Sequence, residues 1–426
     1  MREVAAEHIR RRQFDYSART VSESRAFSPY QLRLLVFLSV ATFFEGYDFL
    51  AITQLLPNLR EYWDLPIEAP GRIVAVVNIG TVLALFVVRM ADRLGRARVL
   101  TITIVGYTFF TLLSGLATNI YFFVGAQLLA RIFLLAEWAT SMIIAAEEFP
   151  PERRGLVLGV IQAASALGSI ACAVLVPVLL ETTYGWRSVY FVAALPLVLV
   201  AYARRDLKET RRFLEAGKSR ENLLDIWKTP YARRVIMVAG LWFISYAASQ
   251  NAISFWKIFA MEERGFTDRD VGRAIAIASV LAVPMALLVG PVIDTLGRRR
   301  GAVIVYALSA AGLYLSFTLE SQLALTGALV LGIFGATAFL PIANAYTNEL
   351  FPTHLRGSAF AWSNNILGRL SYFAVPLLVG EASASAGAYG PVVALTALFP
   401  ILAAIYVLVF FPETRGRELE ETSALH

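Results

Sequence analysis

From about residue 34 onward the chain alternates long apolar runs with short polar breaks. A helix that crosses a bilayer needs roughly 20 mostly apolar residues. Runs of that order lie near 34–57, 70–90, 99–118, 120–148, 156–181, 187–203, 233–260, 271–293, 301–319, 322–350, 357–380 and 388–411. Charged or Gly- and Pro-containing turns separate them. The pattern predicts an all-α membrane protein with twelve transmembrane helices. The start of the chain, MREVAAEHIRRRQ, has no apolar core and is expected to be a tail and not a signal peptide. Midway, residues 204–232 mix Leu223, Leu224, Ile226 and Trp227 with charges, which predicts an amphipathic linker at the membrane surface.

Composition supports this reading. Hydrophobic residues make up 57% of the 426 and charged residues 16%, against about a quarter charged in a soluble domain. The net charge of +6 is explained by topology. Most of the 38 Lys and Arg residues fall in 1–33, 89–98, 153–154, 204–234, 298–300, at 356 and beyond 412. Positive loops stay cytoplasmic, so both termini are expected inside the cell, in a plasma (inner) membrane. No nucleic-acid partner is needed to account for the charge. Cys172 is the only cysteine, and His8, His354 and His426 all lie outside the runs, so no metal or Cys/His site is expected. Gly217-Lys218-Ser219 ends like a phosphate loop, but Arg212 stands where that loop needs Gly. Neither a cofactor nor an enzymatic activity is expected.

The strongest organising signal is an internal repeat. DRLGRAR at 92–98 returns as DTLGRRR at 294–300, and EEFPPERRG at 147–155 returns as ELFPTHLRG at 349–357, both at an offset of 202. The chain therefore reads as a tail (1–33), a six-helix half (34–203), a linker (204–232), a second six-helix half (233–411) and a tail (412–426). Parallel halves of this kind place a substrate site at their interface near the bilayer midplane.

These motifs, with PETRGRELEE at 412–421, resemble the major facilitator superfamily, particularly its sugar porters and metabolite and aromatic-acid proton symporters. The resemblance covers the chain from about residue 34. It implies a two-half transporter fold and a cytoplasmic gate built from Asp92, Arg93, Gly95, Arg96, Glu147 and Arg154 in one half and Asp294, Gly297, Arg298, Glu349 and Arg356 in the other. Asp92 and Asp294 can accept hydrogen bonds at a helix N-terminus or from an Arg, and Glu147 and Glu349 can pair with the Arg of the other loop. Together they are expected to hold the cytoplasmic side closed in an outward-facing state. Three positions depart from the family pattern. Val88 replaces a usual Gly, Gln127 replaces a usual Arg with Arg131 one turn later, and the fifth run lacks the G-P-x-x-G-G of drug antiporters.

Charges inside the runs carry the candidate chemistry, because each costs roughly 2.5–3.5 kcal/mol at the bilayer centre. Glu45 and Asp48 share one face of the first span at i, i+3, with Gly46 admitting a close neighbour. A bound proton relieves both their burial and their repulsion; the alternative is a static ion pair with Arg131. GYD at 46–48 resembles the acidic site of proton-linked porters. Glu137 resembles the acidic position of the metabolite symporters' fourth span, and reads either as a further proton site or as a partner of Arg131. Arg369, in NNILGRLSYF, resembles the G-R-[LI] of organic-acid porters and offers a planar fork for a carboxylate; the alternative is a pair with Asp48 or Glu45. Lys257, at an outer helix end, is expected to snorkel to the interface.

Gln127, Gln162, Tyr246, Gln250, Asn251, Asn344, Asn364 and Asn365 complete the expected cavity, since buried amides in lipid face the bundle interior. Trp242, Trp256 and Trp362 read as packing or apolar walls. The function expected is alternating-access, proton-coupled symport of a small organic anion such as a carboxylate or aromatic acid, by a monomer. A neutral sugar or polyol is the alternative substrate, and a non-transporting sensor on the same fold is the alternative class.

Overall fold

A computed structural model describes residues 27–195, 209–210 and 223–424. Its first helices are α1 (Pro29–Tyr62), α2 (Ala69–Leu94), α3 (Arg96–Gly115), α4 (Ile120–Glu148), α5 (Pro151–Leu180) and α6 (Arg187–Ala193). After a 3₁₀ turn, Leu223–Lys228, come α7 (Ala232–Ser254), α8 (Trp256–Arg264), α9 (Asp268–Leu296), α10 (Arg298–Thr318) and α11 (Gln322–Glu349). The chain ends with α12 (Arg356–Phe360), α13 (Ser371–Ala386), α14 (Gly390–Leu395), α15 (Leu398–Phe410) and α16 (Leu419–Ser423).

Ten spans are long and apolar enough to cross a membrane among the described residues. The sixth expected span begins as α6 and passes into residues outside the description. The eleventh is divided: α12 leads into a π-helical stretch, Ala361–Leu367, then a 3₁₀ turn, Gly368–Leu370, before α13. Helix starts follow local chemistry. Ser28 caps α1 with a reciprocal bond from Gln31, Asn119 caps α4, Thr267 and Asp270 form a capping box on α9, and Ser321 caps α11. Large apolar side chains such as Phe86, Leu287 and Leu288 point outward, as a lipid-facing surface requires. Close packing falls where side chains are small. A Cβ on Gly46 would strike the backbone of Ser165, so α1 and α5 touch main chain to main chain, as that glycine suggested.

The expected linker at 204–232 lies largely outside the described residues. Its described part packs on the second half: Ile226 is buried in that half's core and the Trp227 ring meets Trp362 edge-on at 5.1 Å. The two halves meet at the end of the bundle opposite the loop motifs. There a Cβ on Gly71 would come within 2.5 Å of the Pro376 carbonyl, so α2 and α13 cross at backbone distance.

Candidate functional site

At the motif end each half carries the same cluster. Arg96 pairs with Asp92 at 3.1 Å and with Glu147 at 3.3 Å; Arg298 pairs with Asp294 and, at 2.9 Å, with Glu349. Thr210 Oγ1 donates to Glu147 and Thr414 Oγ1 to Glu349, both at 2.5 Å. Glu209 accepts from the backbone N–H of Arg96 at 2.7 Å, and Glu413 from that of Arg298 at 2.8 Å, placing a carboxylate at the positive end of α3 and of α10. The Glu–Arg pairing between loops is therefore present, but each pair stays within its own half. Among the described residues these ion pairs do not join the two halves, so in this conformation the clusters brace each half. Arg93 is exposed, Arg154 keeps Nε and Nη2 buried without a partner, and Arg356 Nε donates to the Phe351 carbonyl at 3.0 Å. Sequence reading missed Glu209 and Thr210, although KETR at 208–211 echoes PETR at 412–415; the offset there is 204, so a search at 202 passes over it.

Midway along the first half three carboxyls are buried: Glu45 (6% exposed), Asp48 (3%) and Glu137 (0%). Ser165 Oγ donates to Glu45 at 2.8 Å, Thr111 Oγ1 to Asp48 at 3.4 Å, and Ser141 Oγ to Glu137 at 2.7 Å. Asp48 Oδ1 and Glu137 Oε2 have no partner. Among the described residues none of the three forms a salt bridge, so the static pairs with Arg131 and Arg369 are not made. Arg131 instead lies 4.5 Å over the Phe49 ring, with Nη1 buried and unpartnered. It stays within electrostatic reach of Asp48 and Glu45.

In the second half the divided eleventh span carries Arg369 to the seam. Its Nη1 donates to the Thr81 carbonyl of α2 at 3.4 Å, and its Nε is buried without a partner. Tyr246 lies against it and donates to Asn364 Oδ1 at 3.0 Å. The Tyr246 ring also meets Tyr372 at 4.7 Å and Phe339 at 5.3 Å, so an aromatic corner flanks the guanidinium. Gln250 bonds Ser254 at 2.9 Å, and both amide atoms of Asn251 are buried without partners. Gln127 is buried with Nε2 unpartnered, Asn344 and Asn365 are half-buried, and exposed Gln162 accepts from Trp138 at 3.3 Å. Trp242, Trp256 and Trp362 donate to Thr347, Ser316 and Leu223 and serve packing.

Polar contacts across the far end were not foreseen from the sequence. Arg60 pairs with Glu262 at 2.5 Å, Arg72 with Glu381 at 2.7 Å and Arg269 with Glu181 at 2.7 Å, each joining one half to the other. Residues 60 and 262 are 202 apart, so one repeat position meets its own equivalent. Lys257 does not snorkel. The chain breaks between α7 and α8 at Phe255, and the ammonium, 1% exposed, is held by Asp268 and reaches Asn58 at 3.5 Å.

Known proteins match this arrangement over most of its length. The major facilitator superfamily model matches residues 38–267 and again 238–424. A sialic acid transporter of Escherichia coli is 24% identical, covering 90% of this chain and 94% of its own. A gallate transporter of Pseudomonas putida is 26% identical, covering 80% and 83%. A bacterial homologue of the human lysosomal transporter Spinster, in an inward-facing and unoccupied conformation, superposes with a TM-score of 0.75 at 15% identity, covering 89% of this chain and 97% of that one.

Proposed function

Because the chain belongs to the major facilitator superfamily, whose model matches it along nearly its whole length, we propose that it is a secondary transporter taking up a small organic anion in symport with protons by alternating access. The observation that carries the reading is Arg369. It is a permanent cation at the seam with no carboxylate partner among the described residues: Nε is unpaired, Nη1 makes a long bond to a carbonyl, and the Tyr246 hydroxyl is a further polar neighbour. Such a group is costly to keep in a membrane, which marks it as a functional position, and a substrate carboxylate supplies the missing acceptors bidentately. Sialic acid and gallate, named for two relatives, share that carboxylate.

Glu45, Asp48 and Glu137 are the proton-coupling groups on this reading. Their hydroxyl partners tolerate either protonation state, because Ser and Thr both donate and accept. A proton bound there removes negative charge that repels the anion, so the two fluxes move together. With the Lys- and Arg-rich motif end at the cytoplasm, the closed seam faces outward and the conformation is inward-facing.

Uptake of labelled carboxylates, gallate among them, into proteoliposomes under an imposed proton gradient tests the proposal. Wild type accumulates substrate, and Arg369→Lys weakens binding more than about tenfold, since each charged hydrogen bond is worth roughly 1.5–3 kcal/mol. Uptake indifferent to the gradient, or wild-type affinity in Arg369→Lys, would refute it. In that event the orphaned amide of Asn251, suited to a hydroxyl, puts a neutral sugar or polyol first.

A further inference from the structure

We propose that the turn Asn78–Thr81 of α2 is the positioning joint through which the acids of one half and Arg369 of the other act on each other; this rests on the proton-coupled reading above. Asn78 is 3% exposed within the apolar stretch IVAVVNIGTVLALFVV, where an amide is retained only with a partner. Its Nδ2 donates across the seam to the Tyr372 carbonyl at 3.3 Å. That carbonyl is available because residue 376, four positions on, is a proline within α13 and has no N–H to give. The Thr81 carbonyl, on the same turn, receives Arg369. On the opposite side Gly80 lies against α4: a Cβ there would come within 2.8 Å of the Leu128 carbonyl and 3.0 Å of Arg131 Cβ. One helical turn thus touches the stem of Arg131 on one side and the Arg369 segment on the other.

Both ligands of the cycle change what this turn feels. An anion that engages Arg369 draws Nη1 away from Thr81 and loosens the seam at mid-bundle. A proton on Glu45 or Asp48 alters the field at Arg131, whose stem seats on Gly80. Sites that bias one rigid element share a coupling free energy, and the coupling is reciprocal. The Asn78 side chain bonds neither the acids nor Arg369, so its substitution separates coupling from binding.

The test uses Asn78→Leu, which removes the donor without opening a cavity, and Gly80→Ala, which presses α2 against Arg131. Purified protein in proteoliposomes is assayed for substrate affinity, for counterflow exchange without a gradient, and for accumulation under inward proton gradients at several external pH values. Asn78→Leu is expected to keep affinity and counterflow within about twofold while its gradient-driven accumulation falls about tenfold, within the usual range of an allosteric coupling. Gly80→Ala is expected to shift the pH dependence of uptake. Unchanged accumulation and pH profile in both variants overturns the proposal while leaving proton-coupled transport standing. Equal loss of counterflow and accumulation in Asn78→Leu also overturns it, since the turn then only holds the fold. Should Gly80→Ala fail to fold, Asn78→Leu decides alone. A wild type that ignores the gradient removes the underlying reading instead.

Discussion

Gly95 and Gly297 adopt φ of 103° and 96° with extended ψ, just where a carboxylate reaches the next helix start. A side chain enters that region only at a cost of order 1–3 kcal/mol, and a Cβ on Gly297 would also sit 2.7 Å from Glu413. Gly297→Ala is therefore expected to lower the melting temperature of the detergent-solubilised protein by several degrees. Glu413 lies past the last span. Burial pushes its carboxyl up, but the backbone N–H groups of Arg298, Arg299, Arg415 and Thr414 outweigh this and hold it below the usual carboxylate range. Its contribution is complete above the unfolded carboxylate range and is lost as pH falls through the depressed value. Glu413→Gln should melt below wild type near neutral pH, with the gap closing on acidification. A gap that persists in acid would assign the effect to packing and not to charge.

Helix crossings decide how closely the elements approach. At Gly71 the α2 backbone rests on Pro376 and Gly380, with nothing compressible between them. Gly71→Ala forces these helices apart and is expected to open the far-end seam. Labelling of an Asn58→Cys reporter beside buried Lys257 by a membrane-impermeant maleimide should rise severalfold in this variant, and an unchanged rate would mean that the crossing is not a hinge of closure. The divided eleventh span follows the same logic. Its π and 3₁₀ segments end the regular helical ladder next to Arg369, as irregular helix often does at functional positions.

Across the whole molecule, the ion pairs that join the far end are exposed enough to be weak. The pairs of Arg60, Arg72 and Arg269 have side chains about a quarter to two-thirds exposed, and such pairs contribute about 0–1 kcal/mol each and are screened by salt. On the proposed alternating-access reading, weak pairs suit such a seam, since together they bias the equilibrium without locking it. Arg60→Glu sets two carboxylates against each other and is expected to widen the far end, read as a longer distance between spin labels on the two halves. Adding Glu262→Arg should restore the wild-type distribution. Failure of the double reversal to restore it would remove this pair from the gate.

Hydropathy alone marked ten of the twelve expected spans, because a long apolar run in lipid satisfies its own backbone as a helix, while the sixth passes outside the described residues and the division of the eleventh left no trace in it. The 202-residue repeat determined the two halves and the motif clusters. Charges in apolar runs marked Glu45, Asp48, Glu137, Arg131 and Arg369, since such residues stand out wherever burial is costly. What these charges meet was decided by tertiary structure. The static pairs of Arg131 and Arg369 with the acids are not formed, Lys257 turns inward to Asp268, and the motif loops pair within their own halves. Tyr372 and Thr81 carry no mark in the sequence, because both accept through backbone carbonyls, which every residue has; Asn78 stands out as an amide in its apolar run, but the group it meets does not. The far-end pairs link positions as distant as 72 and 381. A contact of that kind depends on how two rigid bundles are set against each other, and that balance is set by weak forces summed over a whole interface, beyond the pattern of any single helix.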